Sequence, residues 1–109
     1  MSAGTAPADG PAHPRHRLDD VIHSPVRLSV VSALAAVDKA DFASVRDAVQ
    51  VTDSALSKQL TILEEAGYVD ITKERVGRRP RTWLTLSTAG RDALDRHVAA
   101  LLEIARPST

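Results

Sequence analysis

Two stretches carry the side chains best suited to chemistry. Arg75, Arg78, Arg79 and Arg81 fall within seven residues that contain no acid, with Gly77 and Pro80 among them. Flat guanidinium groups held out together on a turn suit phosphate oxygens or a minor groove. The second stretch runs from Asp53 to Ala66. At about 100° per residue it gathers Leu56, Leu60 and Leu63 into one arc, sets Ser54, Lys58 and Thr61 opposite, and leaves Ser57 and Gln59 on the flanks. A helix with so small and polar an outer face lets its backbone approach base edges, while Ser, Thr, Gln and Lys supply donors and acceptors that match the major-groove code. Taken singly, each stretch reads equally well as a solvated surface. Their order along the chain, with a turn before the helix and a hairpin after it, favours nucleic acid.

Other chemistries find no support. The 109 residues include no cysteine, which removes disulfides, thiolate metal sites and a cysteine nucleophile. Of the four histidines, His13 and His16 lie in the opening tail, His23 reads as a helix-entry residue bonding backbone, and His97 has Asp92 and Asp95 nearby but no second histidine in helical register. No metal site and no cofactor are expected. There is no Ser-His-acid set, glycine-rich phosphate loop or H-E-x-x-H pattern, and Asp19-Asp20 reads as charge near a helix start, so no enzyme is expected. Phe42, Tyr68 and Trp83 are too few for a single-strand stacking platform. Phe42 is expected in the core. Trp83, by alternation, faces away from Leu84 and Leu86, toward Arg79 or Arg81 or a partner subunit. No apolar run approaches the roughly 20 residues of a membrane span, and the start lacks a signal peptide, which points to the cytoplasm. Fourteen Lys and Arg balance fourteen Asp and Glu, so any basic surface must be segregated.

The elements that must position these residues follow from capping and period. Met1 to Arg17, with Pro7, Pro11 and Pro14, reads as a disordered tail. Ser24-Pro25 opens a helix over 24 to 37 whose core face holds Val26, Val30, Leu34 and Val37, with Val31 beside them and Arg27 pointing away. Asp38 to Asp41 is a charged link. Phe42, Val45, Ala48 and Val49 mark a short second helix ending near Gln50, and Thr52 or Asp53 caps the third, which Gly67 stops. Arg27 and Arg46 read chiefly as surface residues. Period two then gives strands over Tyr68 to Val76 and Thr82 to Leu86, joined by a tip over Gly77 to Arg81. A last helix runs from about 88 to 105. Its stripe of Leu94, Val98, Leu101 and Ala105, widened by Leu102 and Ile104, exceeds the needs of a small core and suggests a subunit contact.

Four motifs in this order resemble the MarR/ArsR-like winged helix-turn-helix regulators. They are Ile22 to Leu28 at the entry to helix one, Leu56 to Val69 from the recognition helix into the first wing strand, Val76 to Thr82 at the wing, and Leu86 to Arg91 at the entry to the dimerisation helix. The likeness covers about 18 to 105. It implies an α+β, mostly α winged helix with a three-helix core, a two-stranded β wing and a C-terminal dimerisation helix over 88 to 105. It further implies a homodimer on a pseudo-palindromic double-stranded DNA operator, acting as a repressor, under a small-molecule effector or a protein partner. The DNA-binding residues expected are Ser54, Ser57, Lys58, Gln59, Thr61, Arg75, Arg78, Arg79 and Arg81; the dimerisation residues are Leu94, Val98, Leu101, Leu102 and Ile104. The absence of cysteine departs from the metal-sensing members. The alternative is a winged helix used as a protein-interaction module, for which Ile62 on the side of the third helix is the one favourable residue.

Overall fold

A computed structural model describes residues 12–106. Its elements run α1 (Pro25–Ala35), β1 (Ala40–Asp41), α2 (Phe42–Val49), α3 (Asp53–Glu65), β2 (Val69–Val76), β3 (Arg79–Leu86) and α4 (Thr88–Ala105). Each helix starts where a short polar side chain satisfies a free backbone N–H. Ser24 accepts from Arg27, Asp41 from Ser44, Thr52 from Ala55 and Ser87 from Gly90. Pro25 takes the first helical position of α1. Part of the tail expected to be disordered, residues 1–11, lies outside the described residues. The described remainder of that tail is ordered, contrary to expectation: Pro14–Arg17 forms a 3-10 turn, fixed by the His13 Nδ1 bond to the Arg15 N–H and by an ion pair from Arg17 to Glu103 of α4.

β3 lies in the middle of a three-stranded antiparallel sheet, ordered β1-β3-β2. The stretch expected as a charged link therefore contributes a strand: Ala40 pairs with Leu84 and Asp41 with Trp83. The hairpin is also tighter than its residue types suggested. Val76 pairs with Arg79, which reduces the five-residue tip to a two-residue turn of Gly77 and Arg78. Gly77 has φ +64, as the first central position of a tight hairpin turn requires. Arg79, Pro80 and Arg81 belong to β3. Proline is tolerated there because β1 covers β3 only at Trp83 and Leu84, leaving the outer edge open near residue 80.

The core joins Ile22 to Val30, Val31 and Leu34 of α1, Val45 of α2, Leu56, Leu60 and Leu63 of α3, and Val69, Leu84 and Leu86 of the sheet. Val37, expected on the core face of α1, lies beyond the helix end and is exposed. Two junctions then fix α3 and β2 against α4. At the first, Gly67 with φ +78 closes α3: its N–H reaches the Glu64 carbonyl while the Tyr68 N–H reaches Leu63. Ser87 returns from α4 to bond Tyr68 O and Gly67 O. Gly90 sits so close that a Cβ there would stand 2.3 Å from the Tyr68 carbonyl oxygen.

The second junction centres on Asp19. Its Oδ1 accepts from the N–H groups of Val21 and Ile22, its Oδ2 accepts from the Tyr68 hydroxyl, and its own N–H donates to His97 Nδ1 at 2.9 Å. Asp19 thus caps its own turn and joins it to two other elements, a larger role than charge near a helix start. His97 is fully buried. Since a backbone N–H can only donate, Nδ1 is an acceptor and Nε2 carries the proton, directed at His23 Nδ1 3.4 Å away. The His23 side chain therefore meets His97, where a backbone bond was expected.

Burial pushes the His97 pKa below its ordinary value of 6.5, with His23 acting the same way and Asp19 opposing. The unfolded chain then takes up the proton at higher pH than the folded one. This contribution to stability is complete above about 6.5 and is lost as pH falls through the folded pKa. Urea denaturation between about pH 7.5 and 5.5 should show that loss. His97→Gln, whose carbonyl can still accept from Asp19, should flatten the slope, and an unchanged slope in the variant would assign it elsewhere. Gly90→Ala should cost about 1–3 kcal/mol, read as a lowered denaturation midpoint, because the obstruction is backbone and cannot rotate away.

Candidate nucleic-acid interface

The third helix presents the division expected of it. Leu56, Leu60 and Leu63 are buried, whereas Ser54, Ser57, Lys58 and Thr61 are exposed. Ile62 is half-buried. The turn that sets α3 against α2 is Gln50, Val51 and Thr52, in which Gln50 adopts a left-handed φ of 62. That conformation lets the N–H groups of both Gln50 and Val51 reach the Arg46 carbonyl. Arg46 also spans the turn from the side: its guanidinium pairs with Asp47 and with Asp53 at the start of α3. These two carboxylates raise its pKa above an already high value. Arg46 thus braces the turn, a role its place on α2 did not disclose.

Gln59 differs from its neighbours. It is half-buried, and its Oε1 accepts from Arg27 Nη1 at 2.7 Å. Arg27 also donates from Nε to the Val21 carbonyl. The reading of Arg27 as a surface residue pointing away from the fold is corrected accordingly, since its long side chain lies between α1, α3 and the segment before α1.

The wing carries its cations on more than one side. Arg75 pairs with Pro80, on the same face as Lys73, Ile71 and Leu84, while Arg79 and Arg81 fall on the opposite face with Glu74 and Trp83, and Arg78 occupies the turn. All four arginines are exposed. Trp83 faces outward as expected, but its cations are Arg81 at 5.6 Å and Lys39 at 4.3 Å from the ring centroid, Lys39 being a residue the sequence did not single out. Glu74 stands opposite Arg81 in register, and its carboxylate accepts from Trp83 Nε1 at 2.6 Å. Between wing and α3 lies an open groove of about 610 Å³, lined by Phe42, Ser57, Thr61, Lys73 and Thr82 among others. Phe42 is half-buried, packed on the core from one side and edging this groove from the other.

Helix, turn, helix and wing in this arrangement agree with a family model described as a winged helix DNA-binding domain, which matches residues 26–105. The chain belongs to the winged helix DNA-binding domain family. The uncharacterized protein MJ0432 of Methanocaldococcus jannaschii is 24% identical over 86 residues, which cover 79% of this chain and 94% of that protein. The transcriptional regulator homologue of Pyrococcus horikoshii OT3 superposes with a TM-score of 0.76 at 24% identity, over 84% of this chain and 91% of its own. The PcaV transcriptional regulator of Streptomyces coelicolor, solved in complex with its natural ligand, gives 0.66 at 20% identity, over 87% and 69%. The family is one of DNA-binding domains, and the fold is shared with these solved transcriptional regulators. No described helix of this winged helix is long and apolar enough to cross a membrane.

The α4 stripe divides in two. Leu94, expected at a dimer contact, is only 8% exposed and belongs to the core of the chain itself. Helical period groups it with Val98 but does not say which neighbour each residue meets. Val98 at 40%, Leu102 at 52% and Ile104 at 38% remain exposed, and Leu101 is half-buried.

The left-handed Gln50 offers a test of the helix-turn-helix geometry. A side chain there opposes a conformation that glycine adopts freely. Gln50→Gly should raise the unfolding free energy by up to about 1 kcal/mol in urea. A loss of stability would mean that the Gln50 side chain makes a contact worth more than the strain.

Proposed function

We propose that this winged helix is a homodimeric, sequence-specific regulator of transcription. In this reading α3 enters the major groove of double-stranded DNA and offers Ser54, Ser57, Lys58, Gln59 and Thr61. The wing reaches phosphates and the minor groove with Arg75, Arg78, Arg79 and Arg81. One observation carries it. The four wing arginines are exposed, stand within seven residues that contain no acid, and are in no ion pair among the described residues. Four guanidinium groups so close on one hairpin, with Glu74 opposite Arg81, favour a polyanion.

The exposed Val98, Leu102 and Ile104, with Leu101, form the dimer contact along α4 in this scheme. A two-fold axis there sets two α3 helices about one DNA turn apart, roughly 34 Å, and calls for a pseudo-palindromic operator. Occupying such an operator blocks other proteins from it, which makes repression the expected mode, within the cytoplasm. A small-molecule effector, as PcaV holds a natural ligand, would bear on α3 most directly through the groove against the wing.

Selection of bound sequences from a random duplex pool, followed by titration at several salt concentrations, tests this function. An enriched pseudo-palindrome bound with salt-sensitive affinity is expected, and no enrichment even at low salt would overturn the proposal. Arg78→Ala with Arg79→Ala should weaken all DNA sequences alike and reduce the salt slope by about 2, close to one per lost phosphate contact. An unchanged slope would remove the wing from the interface.

A further inference from the structure

The sheet face that meets α3 changes character along β2. Ile71 is half-buried near the start of the strand, Lys73 is exposed two residues on, and Arg75 follows toward the tip, all three on one side. Thr82 of β3 stands opposite Lys73 in register. Across from them, Ser57, Thr61 and Glu64 follow one another along one side of α3, and the two walls enclose the open groove of about 610 Å³ with Leu60 and Ile71 beneath. The polar groups of this groove are not equivalent. The Thr61 hydroxyl donates to the Ser57 carbonyl at 3.1 Å, which commits its proton. Among the described residues, Lys73 is in no ion pair and the Thr82 hydroxyl in no side-chain hydrogen bond, so both keep donors to offer. Glu64, the acid that lines the groove, lies on the last turn of α3, three residues before Gly67 carries the chain toward β2 and away from the wing tip.

One strand of a duplex answers this pattern. The major and minor grooves of B-DNA are neighbours, divided along each edge by a single sugar-phosphate backbone. A protein with α3 in one groove and its wing in the next must straddle that backbone, and the space between the two elements here is the groove of Ser57 and Lys73. Phosphate oxygens accept hydrogen bonds and carry negative charge, which suits an ammonium group beside a hydroxyl. Glu64 repels them from the inner end and so limits how far the strand enters. We propose that this groove holds the backbone strand between the two DNA grooves, with Lys73 as its phosphate ligand and Thr82 as a hydroxyl donor beside it. Lys73 touches no base; its contact fixes the register and depth at which α3 meets them. The same space cannot hold an effector and the strand at once. The inference rests on the assignment of α3 and the wing as the elements that bind DNA.

The experiment uses the full-length protein and the operator enriched from a random duplex pool. Duplexes in which one phosphate at a time is replaced by an uncharged methylphosphonate are titrated with the wild type and with variants. For the wild type, one or two adjacent phosphates in each half-site, on the strand between the bases met by α3 and the minor groove met by the wing, should each cost about three- to tenfold in affinity. Lys73→Met should weaken the unmodified operator by a similar factor and reduce the salt slope by about 1. It should lose nothing further when that phosphate is neutralised, while the other phosphates and the base preferences keep the wild-type pattern. Lys73→Arg should restore the penalty, and Thr82→Val, which keeps the branched shape without the hydroxyl, should reduce it. Lys73 is exposed, so its substitution leaves folding intact. A full penalty at that phosphate in Lys73→Met overturns the inference, as does a loss spread evenly over all phosphates, which a cation acting only through the general field would give. A wild type that enriches an operator yet shows no such phosphate overturns this inference alone. One that enriches no sequence overturns the DNA-reading assignment and this inference with it.

Discussion

The position of α3 depends on the half-buried carboxylate of Asp19. This side chain stabilises the turn that precedes α1, receives the hydroxyl of Tyr68 just beyond α3, and stands next to a backbone N–H that ends on buried His97 of α4. Three segments far apart in the chain meet at one residue. The Tyr68 hydroxyl is correspondingly hard to ionise, because the bond to Asp19, burial and the negative charge all favour its protonated form. A hydrogen bond to an ionised acceptor is stronger than one between neutral groups, and more so where water is partly excluded. Hydrophobic burial brings the helices together without direction; the Asp19 bonds select one arrangement among those it would allow.

The arginines show how one residue type serves opposite ends in so small a domain. Arg17, Arg27 and Arg46 are all engaged by the protein, through Glu103, through Gln59 and the Val21 carbonyl, and through Asp47 and Asp53. The exposed ion pairs of Arg17 and Arg46 contribute little to stability. These pairs act instead on the field, since each sets a carboxylate against a cation away from the hairpin, while the four wing arginines are in no ion pair among the described residues.

Local signals in the sequence were legible and distant ones were not. Ser24, Thr52 and Ser87 announce helix starts because a cap acts within three residues, and Leu56, Leu60 and Leu63 announce the buried face of α3 because periodicity is a property of the helix itself. Ala40 and Asp41 give no such signal, since two residues become a strand only when β3 is beside them. Pro80 misleads for a related reason. As a turn former it suggested a long tip, yet an open strand edge accepts it, and only the pairing of Val76 with Arg79 shows where the turn lies. Leu94 and Val98 share a period, yet one is buried in the core and the other is exposed. Asp19, which meets His97, and Gln59, which meets Arg27, lie 78 and 32 residues away in the chain, and nothing in the sequence around His97 or Arg27 names them.

Trp83 has a use separate from any role in stability. It is the only tryptophan in the chain. Its ring lies beneath Lys39 and near Arg81, and its indole N–H ends on Glu74, so three charged side chains on or beside the hairpin surround it. Indole emission responds to nearby charge and to the hydrogen bond at Nε1. The fluorescence of the whole protein is therefore a signal from the wing, and any event that draws Lys39 or Arg81 away is visible without a label.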